Sequence, residues 1–351
     1  MTTGRVVLVA TSPRTPPGLL SWPAWEALRS GTVLVGDAAH PQLPFLADAG
    51  ITCTVTARPE APAALRTSYG GAADPGDVAL ARLLHDRAVA GETVVWLAAG
   101  DADDGLVRAI GDVAARAPGV EVEVVYGSYD PPGARLLDVV TVLDRLRSAG
   151  GCPWDAAQTH ESLKPYLLEE AYEAYQAIED GNLVDLREEL GDVLLQVAFH
   201  ARLAQEHEEP WSIDDVAGDL VDKLVRRHPH VFAGGSADDL DATWDALKAT
   251  EKGRTSVTEG VPLAQPALSL AAKLQKRAGK LGAPAPAYDG VGGELWSLVA
   301  RCRELGLDPE EELRAVARAY RDRLAEVERQ VRAEGGDPGA LSAEEWQARW
   351  S

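Results

Sequence analysis

The chain has 351 residues, 46% hydrophobic and 25% charged, with a formal net charge of −21. Its length supports two or three domains with ample core, and its composition is that of an ordinary soluble protein. So acidic a surface excludes nucleic acid and anionic membranes as general partners, whereas a polyanionic small molecule stays accessible if a metal ion carries the positive charge. No apolar run approaches the roughly 20 residues of a membrane span. The N-terminus lacks the basic and apolar regions of a signal peptide. Cys53, Cys152 and Cys302 are odd in number and far apart. They make neither a disulfide framework nor a zinc motif, and the chain is expected in the reducing cytoplasm.

Residues 1–130 alternate strand-like and helix-like stretches. Arg5–Ala10, Thr32–Val35, Ile51–Val55, Thr93–Ala98 and Val120–Val125 are short β-branched runs, with helical patterns such as Gly76–Val89 and Asp104–Arg116 between them. This alternation predicts an α/β layer with a largely parallel sheet. The first lysine of the chain is Lys164, and Asp130-Pro131-Pro132-Gly133 punctuates the chain. Together they place a boundary near residue 130.

From Ala134 onward nothing reads as strand. Leu136, Leu137, Val140, Leu143 and Leu146 keep a helical period up to Ala149-Gly150-Gly151. Cys152-Pro153-Trp154-Asp155 reads as a loop. A helix is expected from about Thr159 to Glu179, stopped by Gly181. Asn182 caps the next, with Asp185 in a variant capping box, and that helix runs to about Glu206. Ser212 caps another that ends at Arg227, before His228-Pro229-His230-Val231-Phe232. Further helices are expected at Asp239–Lys252, Leu263–Leu281, Glu294–Leu305 and Pro309–Ala333. Residues 283–293 form a linker, and Ser342 and Glu345 cap a short tail helix. The predicted fold is multidomain, an α/β domain followed by an all-α region.

Two short runs stand out within that region. Glu169-Glu170-Ala171-Tyr172-Glu173 and Glu189-Leu190-Gly191-Asp192 each place two carboxylates three residues apart, on one helical face. On the first helix, Leu163, Leu167, Ala171, Ala174 and Ile178 form an apolar stripe. Glu170 and Glu173 border it, and Glu169 points away toward solvent. The second helix is apolar nearly all round, which predicts burial. A narrow polar stripe of Asp185, Glu189, Asp192 and Gln196 runs through it. If the helices are antiparallel neighbours, four carboxylates converge without a lysine or histidine inside either run. Buried acids of this kind need a partner or a metal. The bland alternative is a pair of ordinary solvated faces, and the double occurrence on consecutive helices argues against it. No histidine falls where a di-iron bundle places one, since Gln176 and Asp192 occupy those positions. An all-oxygen set favours Mg²⁺, with Mn²⁺ next. Magnesium keeps waters and favours substrate phosphates, so phosphate chemistry is expected.

These residues resemble the MazG nucleoside triphosphate pyrophosphohydrolases. The likeness spans about 151–252. It rests on Gly151-Cys152-Pro153-Trp154-Asp155, Gln158-Thr159-His160, Leu168-Glu169-Glu170, the two acidic runs, and Arg226-Arg227-His228-Pro229-His230-Val231-Phe232. The resemblance implies an all-α homodimeric fold. It also implies Mg²⁺-dependent hydrolysis of nucleoside triphosphates between the α- and β-phosphates, giving nucleoside monophosphate and pyrophosphate. It carries the metal ligands onto Glu170, Glu173, Glu189 and Asp192, and an extra acid near the attacking water onto Glu188. Lys223, Arg227, Trp244 and Lys248 match positions used around the triphosphate and base. Read as residues alone, Lys223 and Arg227 are a solvated pair on one helix face and Trp244 is core. His228 and His230 read as structural and Cys152 as packed.

On this reading residues 1–130 are the α/β domain, 131–255 the catalytic core and 256–351 a helical C-terminal region. The last region resembles an eroded second copy of the core. Ala271–Arg277 and Leu305–Glu311 match its entry and later helix, and Val291-Gly292-Gly293-Glu294 stands where the second pair of acids belongs. A second metal site is not expected. The C-terminal helices are expected to support dimerisation or to cover the first site. Residues 1–130 resemble the tetrapyrrole methylases through Pro17–Leu20, Trp25–Leu28 and Ala99-Gly100-Asp101. However, the first loop, Thr11-Ser12-Pro13-Arg14, has no glycine to admit S-adenosylmethionine, and no proline follows Asp101. Little or no methyl transfer is expected. Two other readings stay open: a bifunctional or S-adenosylmethionine-binding protein acting through residues 1–130, and a non-catalytic nucleotide-binding dimer module.

Overall fold

The structure is a computed structural model that describes residues 4–58, 74–98, 103–116, 119–233 and 256–350. It contains two compact units, Met1–Asp222 and Lys223–Ser351. Among the described residues no helix is long and apolar enough to cross a membrane.

The first unit opens with a five-stranded sheet in which every pairing is parallel. Its strands are β1 (Arg5–Ala10), β2 (Thr32–Val35), β3 (Cys53–Val55), β4 (Thr93–Leu97) and β5 (Glu121–Tyr126), in the spatial order β3-β2-β4-β1-β5. The β-branched runs read in the sequence become these strands because both faces of the sheet are covered. Alternate residues go to opposite sides. Val7, Val9, Val33, Val95 and Leu97 pack with Ala24, Ala27 and Leu28 of α1 (Trp22–Arg29) and Leu46 of α2 (Leu43–Asp48). Val6, Leu8, Leu34, Val94 and Trp96 pack with Leu80 and Leu84 of α3 (Pro75–Val89) and Leu106 and Ile110 of α4 (Asp104–Arg116). The chain leaves β1 toward β2 and leaves β4 toward β5, in opposite directions across the sheet. The switch point therefore lies between β1 and β4.

After β5 the described chain is helical. The unit continues with α5 (Arg135–Arg147), α6 (Pro153–Ala157), α7 (His160–Glu179), α8 (Leu183–Ala204) and the start of α9 (Ile213–Arg227). The loop expected at Cys152–Asp155 is replaced by α6, because Pro153 sits at the first helical position, where its missing N–H costs nothing. Thr159 caps α7, its hydroxyl accepting from Ser162 N at 3.1 Å while the Ser162 hydroxyl accepts from Thr159 N at 2.9 Å. Gly181, at φ +66°, ends the turn in the left-handed region that favours glycine. Asn182 Oδ1 then accepts from Val184 N and Asp185 N to start α8. Leu143 of α5, Leu163 of α7, and Ala198, Phe199 and Leu203 of α8 form the core that joins these three helices.

The second unit begins in the last turns of α9. It holds α10 (Pro229–Phe232), α11 (Ala267–Gly279), α12 (Gly290–Glu304), α13 (Pro309–Ala333) and α14 (Ala343–Trp350). The helix expected at Asp239–Lys252 lies outside the described residues. Buried Gln275 of α11 donates to the Trp296 carbonyl of α12 at 3.0 Å and accepts from Arg303 at 3.3 Å. The expected linker 283–293 is shorter than predicted, since α12 starts at Gly290. Gly293 lies so close to the Tyr288 carbonyl that a Cβ would stand 1.8 Å from its oxygen, and the Tyr288 ring meets Trp296 edge-on. Ser342 and Glu345 form the expected cap of α14.

Candidate metal centre

The helices α7 and α8 are joined by the tight turn at Gly181 and pack along their lengths. This antiparallel packing brings the two acidic runs together. Glu170, Glu173 and Glu189 each offer a carboxylate oxygen within 4.8 Å of the others. Asp192 joins them electrostatically. Desolvation first, then the charges of Asp192, Glu173 and Glu169, push the Glu170 carboxyl above its ordinary value. Glu189 is pushed up in the same way, by desolvation and then by Glu173, Asp192, Glu188 and Asp185. Glu170 and Glu189 thus hold their protons more tightly than ordinary carboxyls, through burial and the charges of neighbouring acids. Such a group of carboxylate oxygens is a candidate site for a hard cation.

Glu169 is exposed, as the helical wheel places it, and Glu170 is half-buried. Glu173 and Glu188 are exposed. Two expectations about the apolar faces need correction. The stripe on α7 is buried at Leu163 and Ala174 but open at Leu167, with Ile178 61% exposed. Helix α8, apolar nearly all round, is buried along its second half, at Gln196, Ala198, Phe199, Ala201, Leu203 and Ala204, but not along its first. Leu190 is 53% exposed, and Leu195 and Val197 are also open. The reason is geometric. Within this unit α8 packs mainly on α7 and α5, which cover only part of its circumference.

The polar stripe of α8 continues further than the acids. Gln196 is buried, and His200 lies one turn on. The two imidazoles of His200 and His160, at the first turn of α7, stack with rings 6° from parallel and Nδ1 atoms 2.7 Å apart. Burial, and then His160, lowers the His200 pKa. The pair was not legible as a pair in the sequence. The only signal was that His200 extends the stripe of Gln196 by one turn.

Lys223 and Arg227 lie on one face of α9, both half-buried. Trp244 and Lys248 lie outside the described residues. His228 caps α10 and its Nδ1 lies 2.7 Å from the Leu224 carbonyl, which fits a structural role. Cys152 is a half-buried free thiol.

With this geometry in place, comparison with known proteins is direct. The MazG nucleotide pyrophosphohydrolase domain matches residues 158–232, the segment that carries all four acids. A protein of Streptomyces cacaoi, itself uncharacterised, is 54% identical over 233 residues, 64% of this chain and 95% of its own length. The nucleoside triphosphate pyrophosphohydrolase of Mycolicibacterium smegmatis is 44% identical over 62% of this chain and 70% of its own length. The nucleoside triphosphate pyrophosphohydrolase/pyrophosphatase MazG of Thermotoga maritima is 40% identical over 56% of this chain and 87% of its own length. The chain belongs to the MazG family of nucleoside triphosphate pyrophosphohydrolases. The family is metal-dependent, and Glu170, Glu173 and Glu189 are the candidate acidic cluster of this chain.

Proposed function

We propose that this MazG protein is a Mg²⁺-dependent hydrolase that cuts nucleoside triphosphates between the α- and β-phosphates, releasing nucleoside monophosphate and pyrophosphate. The observation that carries this reading is the convergence of Glu170, Glu173 and Glu189 within 4.8 Å, with Asp192 adding to the same field. The donor set is all oxygen, which fits Mg²⁺ and, next, Mn²⁺. Glu170, Glu173, Glu189 and Asp192 would hold the ion, which when bound supplies neutralising charge for the triphosphate and a more acidic water. Glu188, exposed beside Glu189, takes the proton of the attacking water. Lys223 and Arg227, assigned by the family likeness, meet the charge that develops on the leaving pyrophosphate. Trp244 and Lys248 are assigned in the same way to the nucleotide. Nothing in the sequence fixes a hydrogen-bonding code for one base, so we assign a broad range of ribo-, deoxyribo- and damaged nucleotides.

Exposed apolar residues support a homodimer. Tyr166, Leu167, Leu168, Tyr172 and Ile178 on α7, and Leu190 on α8, are large apolar side chains exposed to water. A second copy of the same pair covers like with like in a four-helix arrangement. We retain the division into an α/β domain at 1–130, a catalytic core at 131–255 and a supporting helical region at 256–351, and the cytoplasm as location. Residues 1–130 carry little or no methyl transfer in this reading. Their first loop lacks glycine, and Arg14 within it is held by two carboxylates. The Ala99-Gly100-Asp101 turn lies outside the described residues.

The test is product analysis with several nucleoside triphosphates, with and without Mg²⁺. Monophosphate plus pyrophosphate, formed only with the metal, is the expected result. Diphosphate plus phosphate would move the cut to the γ-phosphate and overturn the assignment. No turnover would leave the binding-module reading in its place.

A further inference from the structure

The loop after β1 stands at the carboxyl edge of the sheet, beside the switch point between β1 and β4, where an open α/β sheet ordinarily receives its ligand. Here the loop's cation is already engaged. Arg14 has a side chain only 4% exposed, and its fork grips both oxygens of Asp138, Nε at 2.9 and 3.0 Å and Nη2 at 2.6 Å. Its Nη1 donates to Asp130 Oδ2 at 2.6 Å. Ser12 completes the joint. Its hydroxyl donates to Asp130 and accepts from Arg14 N at 3.0 Å, and its N–H donates to the Ser128 hydroxyl at 2.7 Å. Asp130 is the last residue before the Pro131-Pro132-Gly133 break, and Asp138 is on α5, beyond it. One buried guanidinium therefore bridges the two sides of the break.

From α5 the contacts run on to both acid-bearing helices. Leu143 packs with Leu163 of α7 and with Ala198 and Phe199 of α8. Asp144 accepts from Arg202 of α8 at 2.9 Å. Arg147, its side chain 5% exposed, pairs with Glu206 at 2.8 Å and donates to the carbonyls of Asp155 and Gln158, just before the Thr159 cap of α7. Helix α5 is thus clamped to the sheet near its beginning and to α7 and α8 near its end.

We infer that Arg14 is a positioning residue for the pyrophosphohydrolase: through the Arg14–Asp138 fork the α/β region sets the pose of α5, and through α5 the spacing of the α7 and α8 carboxylates. The sheet's edge at Arg14 serves as a joint. The inference rests on the acid cluster being the metal centre. A planar fork that contacts two carboxylates at once fixes direction as well as distance, which a lysine does not.

The experiment uses the full chain and three variants, Arg14→Ala, Arg14→Lys and Asp138→Asn. Pyrophosphate release is followed as Mg²⁺ is titrated, and amide hydrogen exchange of α5, α7 and α8 is measured without metal. Arg14→Ala is expected to shift the Mg²⁺ midpoint up by roughly three- to tenfold, as for couplings carried through packed elements, with kcat recovering at saturating metal. Arg14→Lys should fall between. Exchange of α5 and of the facing turns of α7 and α8 should quicken in all three. A mere loss of folded protein lowers activity equally at every Mg²⁺ concentration and leaves the midpoint in place, and that result overturns the inference. So does an unchanged exchange pattern. The metal-centre reading fails separately, if Glu173→Ala keeps its turnover while the exchange response to Arg14→Ala persists.

Discussion

The sheet and the α7–α8 pair use similar apolar content to opposite effect. Val6, Val7, Leu8 and Val9 of β1 are at most 2% exposed, shut between two layers of helices within the same chain. Leu168, Ile178 and Leu190 of the helix pair are 55%, 61% and 53% exposed, and beside them burial and neighbouring acids push the Glu170 and Glu189 carboxyls up. The α/β region closes its core alone. Among the described residues, the helix pair carries exposed apolar side chains and a cluster of acids side by side. An apolar sequence pattern states that a surface must be covered and does not say by which chain.

The largest effects should fall on the acids. Glu173→Ala and Asp192→Ala are each expected to lower pyrophosphate release by about 10³-fold or more, because on the proposed reading each removes a metal ligand from the site that steadies the reacting phosphates. Far-UV circular dichroism should keep the helical signal, since both substitutions relieve repulsion. Retained turnover in both would sink the four-carboxylate assignment. Next comes the small core that the helix pair does own. Phe199 is 3% exposed, with the Arg147 guanidinium over its ring at 5.6 Å. Phe199→Ala should cost about 3–5 kcal/mol in chemical denaturation. A loss under ~1 kcal/mol would mean that α5, α7 and α8 do not share one core.

The comparison sharpens at the uncovered face. Leu168→Asp should raise the dimer dissociation constant by about 30-fold or more, as loss of a buried interface anchor does. Val89→Asp, on α3 and just as exposed at 63%, should leave the assembly unchanged. Sedimentation at several concentrations distinguishes them. Equal responses would remove the case for a face-specific dimer.

Most of this division was legible in the sequence. The β-branched runs of β1 and β2 were placed to the residue, because strands buried on both faces read as unbroken apolar segments. Thr159, Gly181 and Ser342 marked helix ends through chemistry local to a few residues. The approach of Glu170, Glu173 and Glu189 followed from two i,i+3 pairs on helices joined by a short turn, though Asp192, the fourth acid expected, is not within that 4.8 Å group. What escaped was long-range. Arg14 was noticed only as a loop residue where glycine was wanted, because its partners are 116 and 124 residues away. The His160–His200 pair spans 40 residues. The exposure of α8 depends on how much of it α5 and α7 can reach, which no periodicity states.

The smallest effect, and the one most specific to the acids, concerns pH. Glu170 and Glu189 have folded-state pKa values above the ordinary carboxylate value, so between that value and the raised one the native state binds more protons than the unfolded chain. In that window stability falls as pH rises. The metal-free protein should therefore melt at a higher temperature as pH is lowered from neutral toward the ordinary carboxylate value. The groups facing the cluster, Glu169, Glu173, Asp185, Glu188 and Asp192, are all acids and act in the same direction. Asp138 and Glu206, held low by Arg14 and Arg147, work with the opposite sign. Their contribution is present above the ordinary value and is lost only as pH falls through their lowered pKa values, so melting should drop again below about pH 4. Saturating Mg²⁺ should reverse the upper slope, because protons then compete with a bound ion for the same oxygens. Glu173→Gln should flatten that slope and leave the acid limb unchanged. An upper slope untouched by both Mg²⁺ and Glu173→Gln would place its origin outside the α7–α8 pair, and the contrast with the self-contained sheet would lose its electrostatic half.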